Sequence, residues 1–192
     1  MTLIDHVEKY LGKIQEGWTT TFEGKALPFQ VARTARGPAP NSVAYVTLGV
    51  SGQPMPSPMS DKQIRQEFVM AVATPDMQAG IPGLLQQVAT EVLARNRPLL
   101  RGEVIGPRGP LFQDSSAQAL YVSLPAYFPD EFAVYESASH GPVVMAWLVP
   151  ITSKEAQFIS RYGWDRFEDE LVEKDPDLLD VYRRSLEFNA AS

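Results

Sequence analysis

The most restrictive feature of the sequence is an uninterrupted apolar run at residues 143–149, which reads VVMAWLV. This run has the length of a strand and is far shorter than the ~20 residues that a membrane-spanning helix needs. A strand whose side chains are apolar on both faces has to be covered on both faces. The run therefore predicts a central strand in a layered fold, with other elements packed above and below a sheet.

The remaining periodicity is a mixture of strand and helix patterns. Alternating apolar residues predict strands around residues 29–32, 43–50, 67–73 and 120–124. Apolar residues three and four positions apart predict one helix that begins after Thr2 and ends at Gly17, and another around residues 84–93. Because strands and helices do not alternate strictly, we expect an α+β fold, a central mixed β-sheet flanked by helices.

The last part of the chain has a helical pattern. Pro150 is expected to end the central strand, and Thr152 with Glu155 has the spacing of a capping box that starts a helix. Asp165 is a candidate cap for a second helix after Gly163. Beyond Pro176, apolar residues recur every four positions and predict a further helical stretch that contains Leu178, Tyr182 and Leu186. We therefore predict a helical C-terminal segment.

The composition indicates one domain spanning residues 1–192. Hydrophobic residues make up 44% and charged residues 21%, which is typical of a globular protein. The absence of cysteine excludes disulfides and thiolate metal sites, and the mixed charges of the first residues are unlike a signal peptide, so we predict a cytoplasmic protein. A net charge of −6 without a basic stripe argues against nucleic-acid binding.

The sharpest catalytic candidate is Ser51 in the stretch GVSGQ. A nucleophile elbow has the pattern Gly-x-Ser-x-Gly between a strand and a helix, but Gln53 takes the last position and the prolines that follow exclude a helix. The histidines are His6 and His140, and neither has metal-ligand spacing to another residue. A hydrolase that uses Ser51 and His140 is therefore kept as the alternative function, and no metal or cofactor is predicted.

Three carboxylates, Asp165, Glu168 and Asp169, share one face of the predicted helix after Gly163. Such a face can hold Mg²⁺ or perform acid–base chemistry. Acidic residues in the first turn of a helix also interact favourably with the helix dipole, and the structural explanation is the simpler one. If these residues have a function, we expect an acidic interaction surface rather than a metal site.

Two loops carry large apolar side chains that could contact another protein. Met55 and Met59 lie in the proline-rich residues 53–60, where exposed methionines would form an adaptable contact surface. Tyr127 and Phe128 precede the acidic residues 130–131 and could anchor an interface. In both loops the alternative is that the side chains pack back onto the core.

Four blocks of the sequence, taken in order, resemble the bacterial suppressor-of-fused (SUFU) domain family. They are TLGVS at residues 47–51, RQEF at 65–68, LVPIT at 148–152 with Glu155 after it, and Gly163-Trp164 followed by Phe167-Glu168-Asp169. The resemblance runs from about the first helix to Asp180. It implies an α+β domain that binds another protein and has no established catalytic residues.

The resemblance also bears on the partner. The animal relatives hold a transcription factor through a cleft formed with a second domain, and 192 residues leave no room for that domain, so that site is not carried over. Bacterial relatives are thought to act as immunity proteins against toxins. The leading hypothesis is accordingly a non-catalytic binding protein, an antitoxin that occludes a toxin domain, present as a monomer or weak dimer. A scaffold unit with a symmetric partner is a third hypothesis.

Overall fold

The computed structural model describes residues 1–77 and 79–188. Over these residues the chain forms nine strands and four α-helices. The strands are β1 (Ile14–Thr20), β2 (Ala26–Thr34), β3 (Ser42–Leu48), β4 (Met55–Pro56), β5 (Gln63–Ala73), β6 (Val104–Ile105), β7 (Ala117–Ser123), β8 (Val134–Ser137) and β9 (Gly141–Thr152). The helices are α1 (Leu3–Leu11), α2 (Ile81–Arg95), α3 (Ser153–Tyr162) and α4 (Trp164–Lys174).

The strands form one mixed sheet in the order β1-β2-β3-β5-β9-β7-β6, with β4 paired to β5 and β8 paired to β9. Neighbouring strands are antiparallel except β5 and β9, which run parallel with Phe68 opposite Ala146. The predicted α+β class with a central mixed sheet is confirmed. The apolar run at residues 143–149 lies in β9, between β5 and β7, as the sequence predicts.

Both faces of the sheet are covered. On one face, Met145 and Trp147 of β9 belong to a buried cluster with residues of α1, α3 and α4. On the other face, Ala146 and Leu148 belong to a second cluster with residues of α2. The core therefore consists of two apolar layers, one on each side of the sheet. No helix in the described part of the chain combines the length and apolarity needed to cross a membrane.

The first helix is shorter than predicted. It begins at the expected cap, Thr2, whose hydroxyl accepts the Asp5 N–H, and it ends at Gly12, where φ is +72°. Residues 14–20, which the periodicity partly assigned to this helix, form the edge strand β1 instead. The apolar side chain of Ile14 fits either pattern. The positive φ of Gly12 decides between them, because it ends the helix before Ile14.

Three predictions for the C-terminal part need correction, although the Thr152–Glu155 capping box is confirmed. First, β9 continues through Pro150 to Thr152. At residue 150 the strand pairs with β7, whereas its pairing with β5 stops at Trp147, so the missing N–H is tolerated. Second, α4 follows Gly163 without a side-chain cap from Asp165.

The third correction concerns residues 176–188, which form neither helix nor strand and which we call the C-terminal strap. Its residues Leu178, Leu179 and Val181 are buried, but the backbone around them forms turns rather than the successive hydrogen bonds of a helix. They pack instead against the two core clusters at the sheet end where β5 finishes, and the Ala73 N–H donates to the Leu179 carbonyl over 3.0 Å. The helical part of the C-terminal segment thus stops at α4.

Candidate functional site

Two hairpins project from one end of the sheet, on either side of the last residue of β3, Leu48. The β1–β2 hairpin pairs as far as Thr20 and Ala26, whereas β2 meets β3 only from Gln30 onward, opposite Leu48. The β4–β5 hairpin pairs Pro56 with Gln63 at the start of β5. We call the two turns, residues 21–25 and 57–62, together with the turn at residues 49–52 between them, the hairpin end.

A large apolar side chain is exposed to solvent at the tip of each hairpin. Phe22 is fully exposed, and Met59 is 81% exposed. Behind them the support is packed: the Trp18 ring lies 6.1 Å from that of Tyr45, and the amide of Gln86 on α2 donates to the Thr20 carbonyl over 2.9 Å. An exposed aromatic on a fixed support is what a protein interface uses as an anchor.

The turn between the hairpins is held by the buried carboxylate of Glu67. Its two oxygens accept the hydroxyl of Thr47 at 2.6 Å, the N–H of Gly49 at 2.9 Å, and both the N–H and the hydroxyl of Ser51 at 3.0 and 2.6 Å. Burial raises the pKa of Glu67, and these four donors oppose that shift. The carboxylate of Glu67 therefore holds the backbone of the turn in one conformation.

Further contacts near Glu67 also hold this turn in place. Gly49 has a φ of +115°, and a Cβ there would lie 3.3 Å from the Cα of Phe29, so glycine suits both the conformation and the space. The Arg65 guanidinium donates to the Ser51 carbonyl over 2.7 Å. The Gln53 amide reaches the Leu93 carbonyl at the end of α2 over 3.3 Å. The turn at residues 49–52 is thus held by contacts with β2, β5 and α2.

The two residues of the alternative hydrolase line one open cleft of about 410 Å³ beside the hairpin end. Each of them has another partner there: the Ser51 hydroxyl donates to Glu67, and Nδ1 of His140 lies 2.6 Å from the hydroxyl of Ser139. Ser51 and His140, both in the described part of the chain, do not share the hydrogen bond that joins the nucleophile and base of a serine hydrolase. Across residues 1–77 and 79–188, no three His, Asp or Glu side chains are grouped so that they could hold a metal ion.

The two loops predicted to carry contact residues divide between core and surface. Met59 is exposed, whereas Met55 is fully buried under β5 and Phe128 is buried with its ring stacked 4.8 Å from that of Phe132. Met55 and Phe128 as surface contacts were therefore wrong predictions. Tyr127 is half-buried, and its hydroxyl donates to the Pro176 carbonyl over 3.0 Å, so it ties its loop to the C-terminal strap.

The three predicted carboxylates lie on α4, as expected, and differ in their surroundings. Glu168 is paired with the Arg101 guanidinium and accepts the hydroxyl of Tyr121 at 2.7 Å. Burial and this nearby carboxylate raise the pKa of Tyr121. Asp165 and Asp169 are exposed. Glu168 is thus occupied within the molecule, and two acidic side chains remain available to a partner.

Sequence reasoning missed Phe22, the most exposed apolar side chain of the hairpin end. It lies in the stretch TTFEGK, where a turn glycine follows an isolated aromatic residue. That pattern is a hairpin signal with an apolar tip once both flanking strands are known. The first helix was predicted to run to Gly17, into the first half of β1, so the hairpin and its tip were not identified.

The profile of the suppressor-of-fused protein family matches residues 25–184. The chain belongs to the suppressor-of-fused family. Membership confirms the resemblance found in the four sequence blocks and supports a non-catalytic role in protein interaction. Comparison with curated proteins finds no match.

Three solved suppressor-of-fused structures share the fold. A homologue from Neisseria gonorrhoeae is 23% identical with a TM-score of 0.74, covering 97% of this chain and 95% of that chain. A chain in the crystal structure of the Sufu–Fu complex is 16% identical with a TM-score of 0.70, covering 95% of this chain and 90% of that chain. Drosophila Suppressor of Fused is 16% identical with a TM-score of 0.67 over 96% of this chain, which corresponds to 50% of the fly protein.

Proposed function

We propose that the chain is a non-catalytic binding protein that docks a partner protein on its hairpin end, with Phe22 and Met59 as anchors. The observation that carries this proposal is the full exposure of Phe22 on a hairpin whose base is packed against the sheet. Apolar side chains on a pre-organised surface bind at a low cost in entropy. The Sufu–Fu complex supports the proposal, because there another protein of this fold has a protein partner.

The partner we propose is a toxin domain in the cytoplasm, which the chain inhibits by covering its active face. The net charge of −6 favours a basic partner, since opposite charges steer association. Asp165 and Asp169 are the exposed carboxylates that would meet its rim. The chain itself is expected to be a monomer or a weak dimer before it binds.

The test is a quantitative pull-down from a lysate of the source organism at moderate salt, with mass spectrometry of the bound proteins. We expect one stoichiometric partner on the wild-type chain and about a tenfold or greater loss of it with Phe22→Ser/Met59→Ser, since anchors of this kind are typically worth 2 kcal/mol or more. Met77→Ser is the control, because Met77 is 42% exposed but lies beyond the end of β5, at the sheet end opposite to the hairpins. Asp165→Asn/Asp169→Asn, compared with the charge-conserving Asp165→Glu/Asp169→Glu, tests the acidic contact.

Retention of the same partner by Phe22→Ser/Met59→Ser at the wild-type level would overturn the assignment of the hairpin end. Equal losses with the asparagine and glutamate variants would overturn an electrostatic role for α4. A partner without toxin activity would remove the immunity function and leave the binding surface in place.

A further inference from the structure

The last part of the C-terminal strap, residues 183–188, is held to the rest of the domain in large part by one buried carboxylate. Glu155, in the first turn of α3, has a fully buried side chain, and that of Arg183 is 9% exposed. The Arg183 guanidinium donates to the two oxygens of Glu155 at 2.6 and 2.9 Å. The same carboxylate accepts the N–H of Leu186 at 3.0 Å and that of Thr152 at 2.8 Å. Three of its four donors therefore belong to the strap.

Aromatic stacking holds the end of the described strap. The Phe188 ring lies parallel to that of Phe158 on α3, with 3.9 Å between centroids, and 6.5 Å from that of Phe167 on α4. Ser185 shares a hydrogen bond of 2.9 Å with the hydroxyl of Thr152. Between the strap and α3 there is an open groove of about 770 Å³, so the strap leaves part of this surface unfilled.

These contacts describe a peptide in a binding groove. The segment forms neither helix nor strand, and its arginine side chain enters a buried acidic site. An apolar residue follows three positions later, and an aromatic residue follows five positions later. The groove binds the arginine through a bidentate ion pair, which is directional, and the aromatic residue through ring stacking. Since the strap forms no helix or strand of its own, its release from residue 183 onward leaves the sheet pairing intact.

We propose that the groove formed by α3 and the end of β9 is a second protein-binding site, which the chain's own residues 183–188 occupy, and that its external ligand is an extended peptide segment of a partner protein with the pattern Arg-x-x-Leu-x-aromatic. The internal strap competes with that ligand at a high effective concentration, so the site is available only when the strap is weakened or outcompeted. The site lies at the sheet end opposite to the hairpins, and it stands whether or not the hairpin end binds a partner.

The experiment uses the full chain and a fluorescent, C-terminally amidated peptide with the sequence of residues 180–188, DVYRRSLEF. We expect Arg183→Ala in the chain to tighten peptide binding about tenfold or more over wild type, because the competing strap loses its ion pair and Glu155 is left without its cation. The peptide should also raise the thermal midpoint of Arg183→Ala, since its own arginine refills the buried acidic site. A groove that recognises the strap sequence too weakly to bind it apart from the chain would show neither effect.

The adjacent arginines provide a matched control. Arg184 is exposed, so Arg184→Ala in the chain should leave peptide binding at the wild-type level, and a peptide carrying Arg184→Ala should bind like the original. A peptide carrying Arg183→Ala should bind about tenfold or more weakly, because it lacks the charge-assisted pair. Phe188→Ala in the chain weakens the strap without exposing Glu155. This variant replaces Arg183→Ala in the binding measurement if Arg183→Ala does not fold.

The proposal is overturned if the folded Arg183→Ala and Phe188→Ala chains bind the peptide no more tightly than wild type, or if the peptide with Arg183→Ala binds as well as the original. A concentration-dependent dimer that the peptide dissociates would make a second copy of the chain the occupant and overturn the assignment to a separate partner. Loss of the lysate partner through Phe22→Ser/Met59→Ser leaves these outcomes unaffected, so the two proposals fail separately.

Discussion

Glu67 shows how a single buried residue orders a turn, here the one in the middle of the proposed binding surface. A carboxylate without donors would be costly at this depth, and four donors from Thr47, Gly49 and Ser51 compensate it. All of these donors come from the end of β3 and the turn that follows it. The same interaction that satisfies the buried charge therefore orders the turn between the two hairpins.

Ser51→Ala separates this structural role from catalysis. The variant removes one hydroxyl donor from a buried carboxylate, and we expect the free energy of unfolding to fall by about 1.5–3 kcal/mol. Urea denaturation measures the change, with the exposed Ser139→Ala as a control expected to shift it by less than about 0.5 kcal/mol. The wild-type chain should show no Ser51-dependent hydrolysis of activated esters, and hydrolysis that disappears in Ser51→Ala would instead support the alternative function.

The residues of the candidate site were only partly predictable, for a physical reason. Met55 and Met59 lie four positions apart in the same proline-rich stretch. Their surroundings differ because Met55, in β4, pairs with Ile64 of β5, while Met59 lies in the turn. That difference depends on a strand pairing that local sequence does not encode. Phe128 likewise is buried partly because Trp147 comes to it from β9, a distant part of the chain.

At the scale of elements, boundaries were harder to predict than the elements themselves. The helix at residues 81–95 and the central strand follow from long, clear patterns. The start of β1 depends instead on the conformation of Gly12, and the fate of residues 176–188 depends on packing against the sheet end. A four-residue apolar spacing fits an extended strap that contacts the core at intervals as well as it fits a helix.

Two glycine-to-alanine substitutions test how elements pack, and we expect opposite signs. Gly102 has a φ of +93°, and a Cβ there would lie 2.4 Å from the Trp164 ring on α4, so Gly102→Ala should lower the free energy of unfolding by about 2–4 kcal/mol. Gly83 lies in α2 with open space around it, so Gly83→Ala should raise that free energy by about 0.5–1 kcal/mol. Chemical denaturation of both variants gives the comparison, and equal destabilisation would contradict the close contact of the 102 loop with α4.

At the scale of the whole molecule, the class of fold was the most secure prediction. An apolar run that must be covered on two faces, together with helices that have one apolar side, leaves few arrangements other than helices on both sides of a sheet. The position of the site needed the topology as well. Only the strand order places two hairpins on either side of β3 and sends the C-terminal strap to the opposite end.

The stability of the whole domain should depend on pH through His6, which joins α1 to the loop before β8. Its ring is buried, stacks 5.7 Å from Phe132, and has Nε2 at 3.1 Å from the Phe132 carbonyl, so the neutral ring donates there. Burial lowers the pKa of His6 below its usual value, and the nearby Lys9 adds to the shift. In the unfolded chain the ring takes up a proton near pH 6.5, which the folded chain resists. The unfolded state then binds more protons, so the free energy of unfolding falls as pH decreases below about 6.5, by at most about 1.4 kcal/mol per pH unit.

Urea denaturation between pH 7.5 and 5.5 should show this slope in the wild type and in the exposed His140→Gln control, and a flatter one in His6→Gln. The same slope in all three would mean that His6 is not the group responsible.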